Sequence, residues 1–201
     1  MYPIITISRE FCSGGDNIGM KVAKALDIPY LDRDMVEKVA YETGFDVGMI
    51  SDRGEYVPTD DTAAYPGMLH SPAGNPDTII FMAQQKLILE QAKKGPCVII
   101  GRCADYFLAE AGIPSLNVFI HSSLAYRKAF YKDYFKDDTS SDEKIEKMLR
   151  RKNLGRTLYY RLYTNREWSD YKNYQINLDC SALGEDACAE FITKVARSMD
   201  K

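Results

Sequence analysis

Gly14 and Gly19 stand with four residues between them and fit the first half of G-x-x-x-x-G-K-[ST]. In that pattern backbone N–H groups and a helix N-terminus hold phosphate oxygens, a lysine neutralises them and a hydroxyl holds magnesium. The lysine position is Met20 and the hydroxyl position is Lys21. The backbone cradle over Gly14, Gly15, Asp16, Asn17, Ile18 and Gly19 is therefore expected, with both side-chain functions displaced. Lys21 falls about 100° further round a helix than the pattern asks, and Ser13 and Ser8 are alternative hydroxyls. The competing reading of the same residues is a glycine-rich turn that binds nothing. A second group is GRCADY at 101–106, where Arg102 and Asp105 follow an apolar run. A planar two-pronged guanidinium suits phosphate, whereas a structural role would pair Arg102 with a carboxylate such as Asp32. Asp32 and Arg33, just after Leu31, are a third candidate pair; Asp32 either meets a ligand at a strand end or caps the next helix. The fourth is the basic segment 142–163, with Lys144, Lys147, Arg150, Arg151, Lys152, Arg156 and Arg161, which by composition alone reads as a solvated helix face.

The elements that must position these residues alternate. Ile4, Ile5 and Ile7 with Thr6 form a β-branched run of the kind buried in a parallel sheet, and Ile18, Val22, Ala23 and Leu26 recur at helical spacing. Residues 28–31, 97–101, 115–121 and 174–178 are further short strands. Helices are expected from 33 to a stop at Gly44, from Pro76 with Ile79, Met82, Ala83, Leu87 and Ala92 facing inward, from Ser122 onward, over 142–163, and at the C-terminal end with Ala187, Phe191, Ile192 and Val195 buried. Segment 45–75 is loop-rich, broken by Gly48, Gly54, Pro58, Pro66, Gly67, Pro72 and Gly74. Its His70, and His121 at a strand end, carry no partner signal in the sequence. Strand–helix alternation without a linker or repeat implies one three-layer α/β domain over 1–201, a parallel sheet covered on both faces.

The 201 residues are 45% hydrophobic and 27% charged with a net charge of −3, which suits one soluble domain and argues against nucleic acid as a partner. No apolar run approaches ~20 residues and no basic-then-apolar leader is visible, so a cytoplasmic protein without a membrane partner is expected. The sequence leaves the oligomeric state open. Cys12, Cys97, Cys103, Cys180 and Cys188 are scattered and without metal-site spacing, so reduced thiols are expected. Only Cys12, beside a helix start, sits where a thiol pKa is lowered.

The opening segment, ITISREFCSGGDNIGMKVAKALDIPYLDRD, resembles that of the cytidylate kinase-like family. Arg9, Glu10, Phe11, Ser13, Gly14, Gly15, Ile18, Gly19, Pro29, Tyr30 and Asp32 carry the resemblance; Cys12 replaces a usual glycine and Met20 the usual lysine. Gly101 through Tyr106 match the family without exception. The run of Tyr159, Tyr160, Tyr163, Trp168, Tyr171 and Tyr174 matches its aromatic pattern. The resemblance implies a P-loop nucleotide kinase-like fold with a five-stranded parallel sheet ordered 2-3-1-4-5. It also implies an acceptor-side flap at 45–75 and an arginine-rich lid at 136–165. By the same resemblance Arg102 holds the acceptor phosphate, and Arg127, Arg151, Arg156 and Arg161 close over the group being transferred. Asp32 and Asp105 orient the acceptor or a magnesium-bound water, and Arg33 contacts the substrate. The implied activity is transfer of the γ-phosphate of ATP, carried with Mg2+, to a cytidine monophosphate-type acceptor.

Met20 supports the alternative, a nucleotide-binding module of the same fold with weakened catalysis, since loss of one charge-stabilising donor costs ~10² or more in rate. An interaction protein without nucleotide would leave Arg102 and the glycine turn unexplained.

Overall fold

The computed structural model describes residues 3–53, 55, 76–136 and 138–199, the side chains of 33, 34, 52 and 53 excepted. In chain order the elements are β1 (Ile4–Arg9), α1 (Gly15–Leu26), β2 (Tyr30–Leu31), α2 (Arg33–Thr43), α3 (Val47–Arg53) and α4 (Pro76–Ala92). They continue with β3 (Val98–Ile100), α5 (Ala104–Glu110), β4 (Ser115–His121), α6 (Leu124–Tyr134) and α7 (Asp142–Thr164). A 3₁₀ turn (Tyr171–Asn173), β5 (Ile176–Asp179), α8 (Cys180–Leu183) and α9 (Glu185–Ser198) complete the chain. The five strands form one parallel sheet in the order β2-β3-β1-β4-β5, as expected.

β1 is central because it can be buried on both faces: all six of its residues are buried. Ile5 and Ile7 point to one face, among Ile18, Val22 and Leu26 of α1 and Cys188 and Ile192 of α9. Ile4 joins the other core, with Val36 and Val39 of α2, Ile80 and Ile88 of α4, Phe107 of α5 and Tyr159 and Tyr160 of α7. Thr6, the polar member of the run, is satisfied by donating to Asn117 Oδ1 at 2.8 Å. Ile7 lies opposite Ile100 of β3, and Arg9 opposite Ile120 of β4. Parallel register therefore delivers the ends of β1, β3 and β4 to one edge of the sheet, where α/β folds meet ligands.

Several expectations are adjusted by packing. α4 buries Ile80, Gln84 and Ile88, while Ile79 and Met82 are exposed. Five consecutive apolar residues at 79–83 hide the helical period, and the core selects a face one position away. In α9 the same shift leaves Phe191 exposed and buries Cys188 and Ala189. Within the expected loop-rich insert, residues 47–53 form α3. Asp46 caps it by accepting from Gly48 N at 2.8 Å, and Ile50 is fully buried. Residues 56–75, the remainder of the expected flap with His70, lie outside the described residues. The expected lid is a continuous 23-residue helix, α7, that buries Ile145, Leu149, Tyr159 and Tyr160 against the domain.

Candidate phosphate-binding site

After β1 the chain turns through 10–14, with Cys12 and Gly14 at positive φ of 61° and 85°, and α1 begins at Gly15. Gly14 can take that conformation because it has no Cβ, and as the residue before the helix it offers no side-chain cap. The first N–H of α1 to find an intrahelical acceptor is that of Ile18, bonded to Gly14 O at 3.0 Å. The N–H groups of Gly15, Asp16 and Asn17 are the donors a helix start leaves over, and they coincide with the positive end of its dipole.

This corrects the frame expected from the glycine spacing. Residues 15–19 are the first turn of a helix, so the loop that precedes it is 10–14 and the place a lysine takes at the helix start falls at Gly15. Gly19 serves packing: a Cβ there would lie 2.7 Å from Ile100 Cδ1 and 3.0 Å from the Tyr30 ring. Ile18 is core. Met20 is 48% exposed. Lys21 turns to the start of α9, where Nζ pairs with Glu185 at 3.1 Å and Asp186 at 2.7 Å, and Asn17 donates to Glu185 at 2.9 Å.

The turn is held from two sides. From β4, Glu10 N donates to Ile120 O at 3.0 Å, Ser13 Oγ donates to the same carbonyl at 3.3 Å, and Ser122 Oγ donates to Ser13 O at 3.1 Å. From α7, Asn153 accepts from Phe11 N at 2.8 Å and donates to Glu10 Oε1 at 3.0 Å.

Four guanidiniums surround it. Arg9, 5% exposed, donates from Nε to Asp16 Oδ1 at 3.0 Å and pairs through Nη1 with Glu55. A side chain on Gly15 would collide with it, a Cβ lying 2.8 Å from Arg9 Cγ. Arg156 donates to Arg9 O at 2.8 Å, pairs with Glu55 Oε2 at 3.3 Å and stands 5.7 Å from the Phe11 ring centre. Arg102, buried and at φ 58°, lies 3.6 Å from Asp32 Oδ1. Arg127 donates from Nε to Ser122 O at 3.1 Å, and its buried Nη1 finds no hydrogen-bond partner among the described residues. A narrow cleft, partly open to solvent, runs between Ser8, Arg9, Glu55, Gly101, Arg102 and Arg156.

Clustering tunes these groups. Burial, then the charge of Arg9, pushes Arg156 down to about 9, which leaves it charged at neutral pH. Partial desolvation of Asp16 would raise its pKa, but Arg9 and Arg156 hold it below the usual carboxylate range. Burial lowers Arg102 against the pull of Asp32. Burial takes the Cys12 thiol up to about 12 despite Arg156. Burial thus works against a reactive thiolate at the turn.

Arg102, Arg127, Arg156 and Asp32 are thus brought to the turn, and Asp32 makes no side-chain cap to α2. Other expected residues are not. Asp105 is 4% exposed in the core, where it accepts from Tyr160 OH at 2.6 Å and burial raises its pKa. Arg151 and Arg161 are exposed, the latter 3.4 Å from Glu167. Each lies five residues from Arg156, about 140° round the helix from it. The Arg33 side chain lies outside the described residues. Sequence reasoning gave no role to Arg9, Glu10, Asn153 or Glu55. Arg9 had a signal, a cation ending an otherwise uncharged, β-branched run; Glu10 lies in the turn itself, and Asn153 and Glu55 come to it only through tertiary packing.

Among the described residues, no three His, Cys, Asp or Glu side chains form a metal-binding group. A magnesium ion at this edge would find single carboxylates, Asp16 or Asp32, with its other ligands coming from nucleotide phosphates and water.

No curated protein matches the chain. Among solved structures, an uncharacterized protein from Eubacterium ventriosum ATCC 27560 is similar over 98% of this chain and 99% of its own, with TM-score 0.72 and 21% identity. Shikimate kinase from Acinetobacter baumannii in complex with shikimate gives 0.55 and 14% over 100% and 96%. TT1252 from Thermus thermophilus gives 0.56 and 15% over the whole of both chains. At these identities the likeness is one of fold, that of the P-loop kinases. The family model matches residues 4–182, nearly the whole described chain, and with it the protein belongs to the cytidylate kinase-like family.

Proposed function

We propose that this protein transfers the γ-phosphate of ATP to a (deoxy)cytidine monophosphate-type acceptor. The observation that carries the reading is the convergence of the α1 N-terminus with buried Arg9, Arg102 and Arg127 and the largely covered Arg156 at one edge of a parallel sheet. Phosphoryl transfer asks for that: alignment, preorganised positive charge and little else from the protein. The N–H groups at 15–17, with the turn 10–14, hold the donor phosphates. Arg102, oriented by Asp32, takes the acceptor's phosphate. Arg156 and Arg127 neutralise the oxygens of the group in transit. Asp16 stands where a P-loop hydroxyl would, and orients water on the Mg2+ that arrives with ATP and screens its phosphate charge. A cytoplasmic location belongs to the same reading.

The displaced lysine favours a second reading, a nucleotide-binding module with weakened catalysis. The test is steady-state transfer from ATP to a panel of ribo- and deoxyribonucleoside monophosphates, with shikimate included because a neighbouring fold binds it. Turnover highest with cytidylates supports the proposal. Turnover highest with another acceptor overturns the acceptor assignment, and nucleotide binding without any turnover supports the module.

A further inference from the structure

Glu55 is the unexpected partner in the arginine cluster. Its carboxylate spans two buried guanidiniums, one oxygen against Arg9 Nη1 and the other 3.3 Å from Arg156 Nη2. The Glu55 side chain is 15% exposed, those of Arg9 and Arg156 6% and 10%. Gly101, just beyond β3 and at φ 62°, makes room for it: a Cβ there would run into Glu55 Oε1 and lie 2.6 Å from Arg9 Nη1. The end of β3 is thus shaped for an oxyanion, and a carboxylate bridging two fork-shaped donors has the hydrogen-bonding pattern a phosphate would use. Charge points the same way. Among the described residues, Arg9 pairs with Glu55 and the half-exposed Asp16 and Arg156 pairs with Glu55, so Glu55 brings one negative charge where a phosphate brings up to two and a third oxygen.

We infer that Arg9, Arg156 and Gly101 form a seat for a phosphoryl group, which Glu55 fills from within the same chain as a built-in competitor. The inference rests on the proposed function only in taking this sheet edge as the phosphate end of the cleft. Arg9 then supplies, from the strand, the cation that the helix lacks at Gly15 and Met20.

The experiment is calorimetric titration of the full chain with inorganic phosphate, for wild type, Glu55→Gln, Glu55→Asp and Arg9→Met. The single tryptophan, Trp168, lines the same cleft and provides a fluorescence readout. Removing the competing charge makes Glu55→Gln bind phosphate at least ~10-fold more tightly. Glu55→Asp, which keeps the charge but shortens its reach, gives a smaller gain and covers the case in which Glu55→Gln does not fold. Arg9→Met abolishes binding, also in combination with Glu55→Gln. Unchanged phosphate affinity in folded Glu55 variants overturns the inference, as does tight binding by the Arg9→Met/Glu55→Gln pair. Competition then identifies the source: displacement of phosphate by a nucleoside monophosphate assigns the seat to the acceptor, and displacement by ATP to the donor. Displacement by neither overturns a nucleotide role for the seat. Because phosphate titration needs no turnover, tight binding without transfer activity overturns the proposed function alone, and transfer without the Glu55 effect overturns this inference alone.

Discussion

The start of α1 and its second turn lie within one helix yet differ in what they leave available. At the start, three N–H groups emerge beside Arg9, Arg156 and Asp16, and the polar partners point to the sheet edge. One turn on, Met20 faces solvent and Lys21 is occupied by Glu185 and Asp186. The residues that the motif spacing singles out are committed elsewhere, Gly19 to sheet packing, Met20 to solvent and Lys21 to α9. The cation nearest the leftover N–H groups comes instead from the last residue of β1. Where charge is placed at a helix start therefore depends on where the helix starts, which spacing alone does not reveal.

The comparison breaks most visibly at Arg156, which joins α7 to the end of β1 and faces the cleft. Arg156→Ala is expected to lower kcat by ~10²–10³, the usual loss when one preorganised charge donor is removed. Steady-state transfer assays with circular dichroism as a folding control check it. A loss in KM alone would move Arg156 from the reacting group to ground-state binding. Next comes Asn153→Ala, which unties Phe11 N and Glu10 from α7 and leaves a half-buried donor unpaired. A destabilisation of about 1–3 kcal/mol, seen in chemical denaturation, should accompany weaker ATP binding.

Much of the fold was legible because β1 and β3 are runs of β-branched residues, β4 is a largely apolar run set off by Gly112 and Pro114, and each is followed by a helical period; the sheet order came with the family resemblance. The site was legible in part. Arg102 announced itself in GRCADY and Arg127 and Arg156 came with the resemblance, but the glycine frame was misplaced because Gly19, required for close helix–sheet packing, mimics the motif's second glycine. Arg151 and Arg161 shared the composition of Arg156 and differ only in helix phase. Glu55 was invisible because it meets Arg9 and Arg156 only after folding brings together residues about 46 and 101 positions apart in sequence.

Asp16 sharpens the comparison through pH. Its folded pKa lies below the unfolded value near 3.8, so its contribution to stability is complete above about pH 4 and is lost as pH falls through the depressed value. Asp16→Asn should flatten that acid limb of the stability curve while leaving neutral-pH stability within about 1 kcal/mol, because the side chain is 51% exposed and solvent screens the pair. Thermal melts between pH 2 and pH 7 check both. The smallest effect is expected from Met20→Lys. A lysine there lies beyond the first turn on a solvent-facing position, so ATP affinity and turnover should change less than about twofold; a large gain would restore the glycine-spacing frame.

The most direct test compares kcat/KM for ATP in Arg9→Met and Lys21→Met. The account predicts that Arg9→Met loses ~10² or more, while Lys21→Met, severing a partly exposed pair with α9, retains turnover near wild type with a stability loss of about 1 kcal/mol or less. Loss of turnover in Lys21→Met with Arg9→Met still active would contradict it.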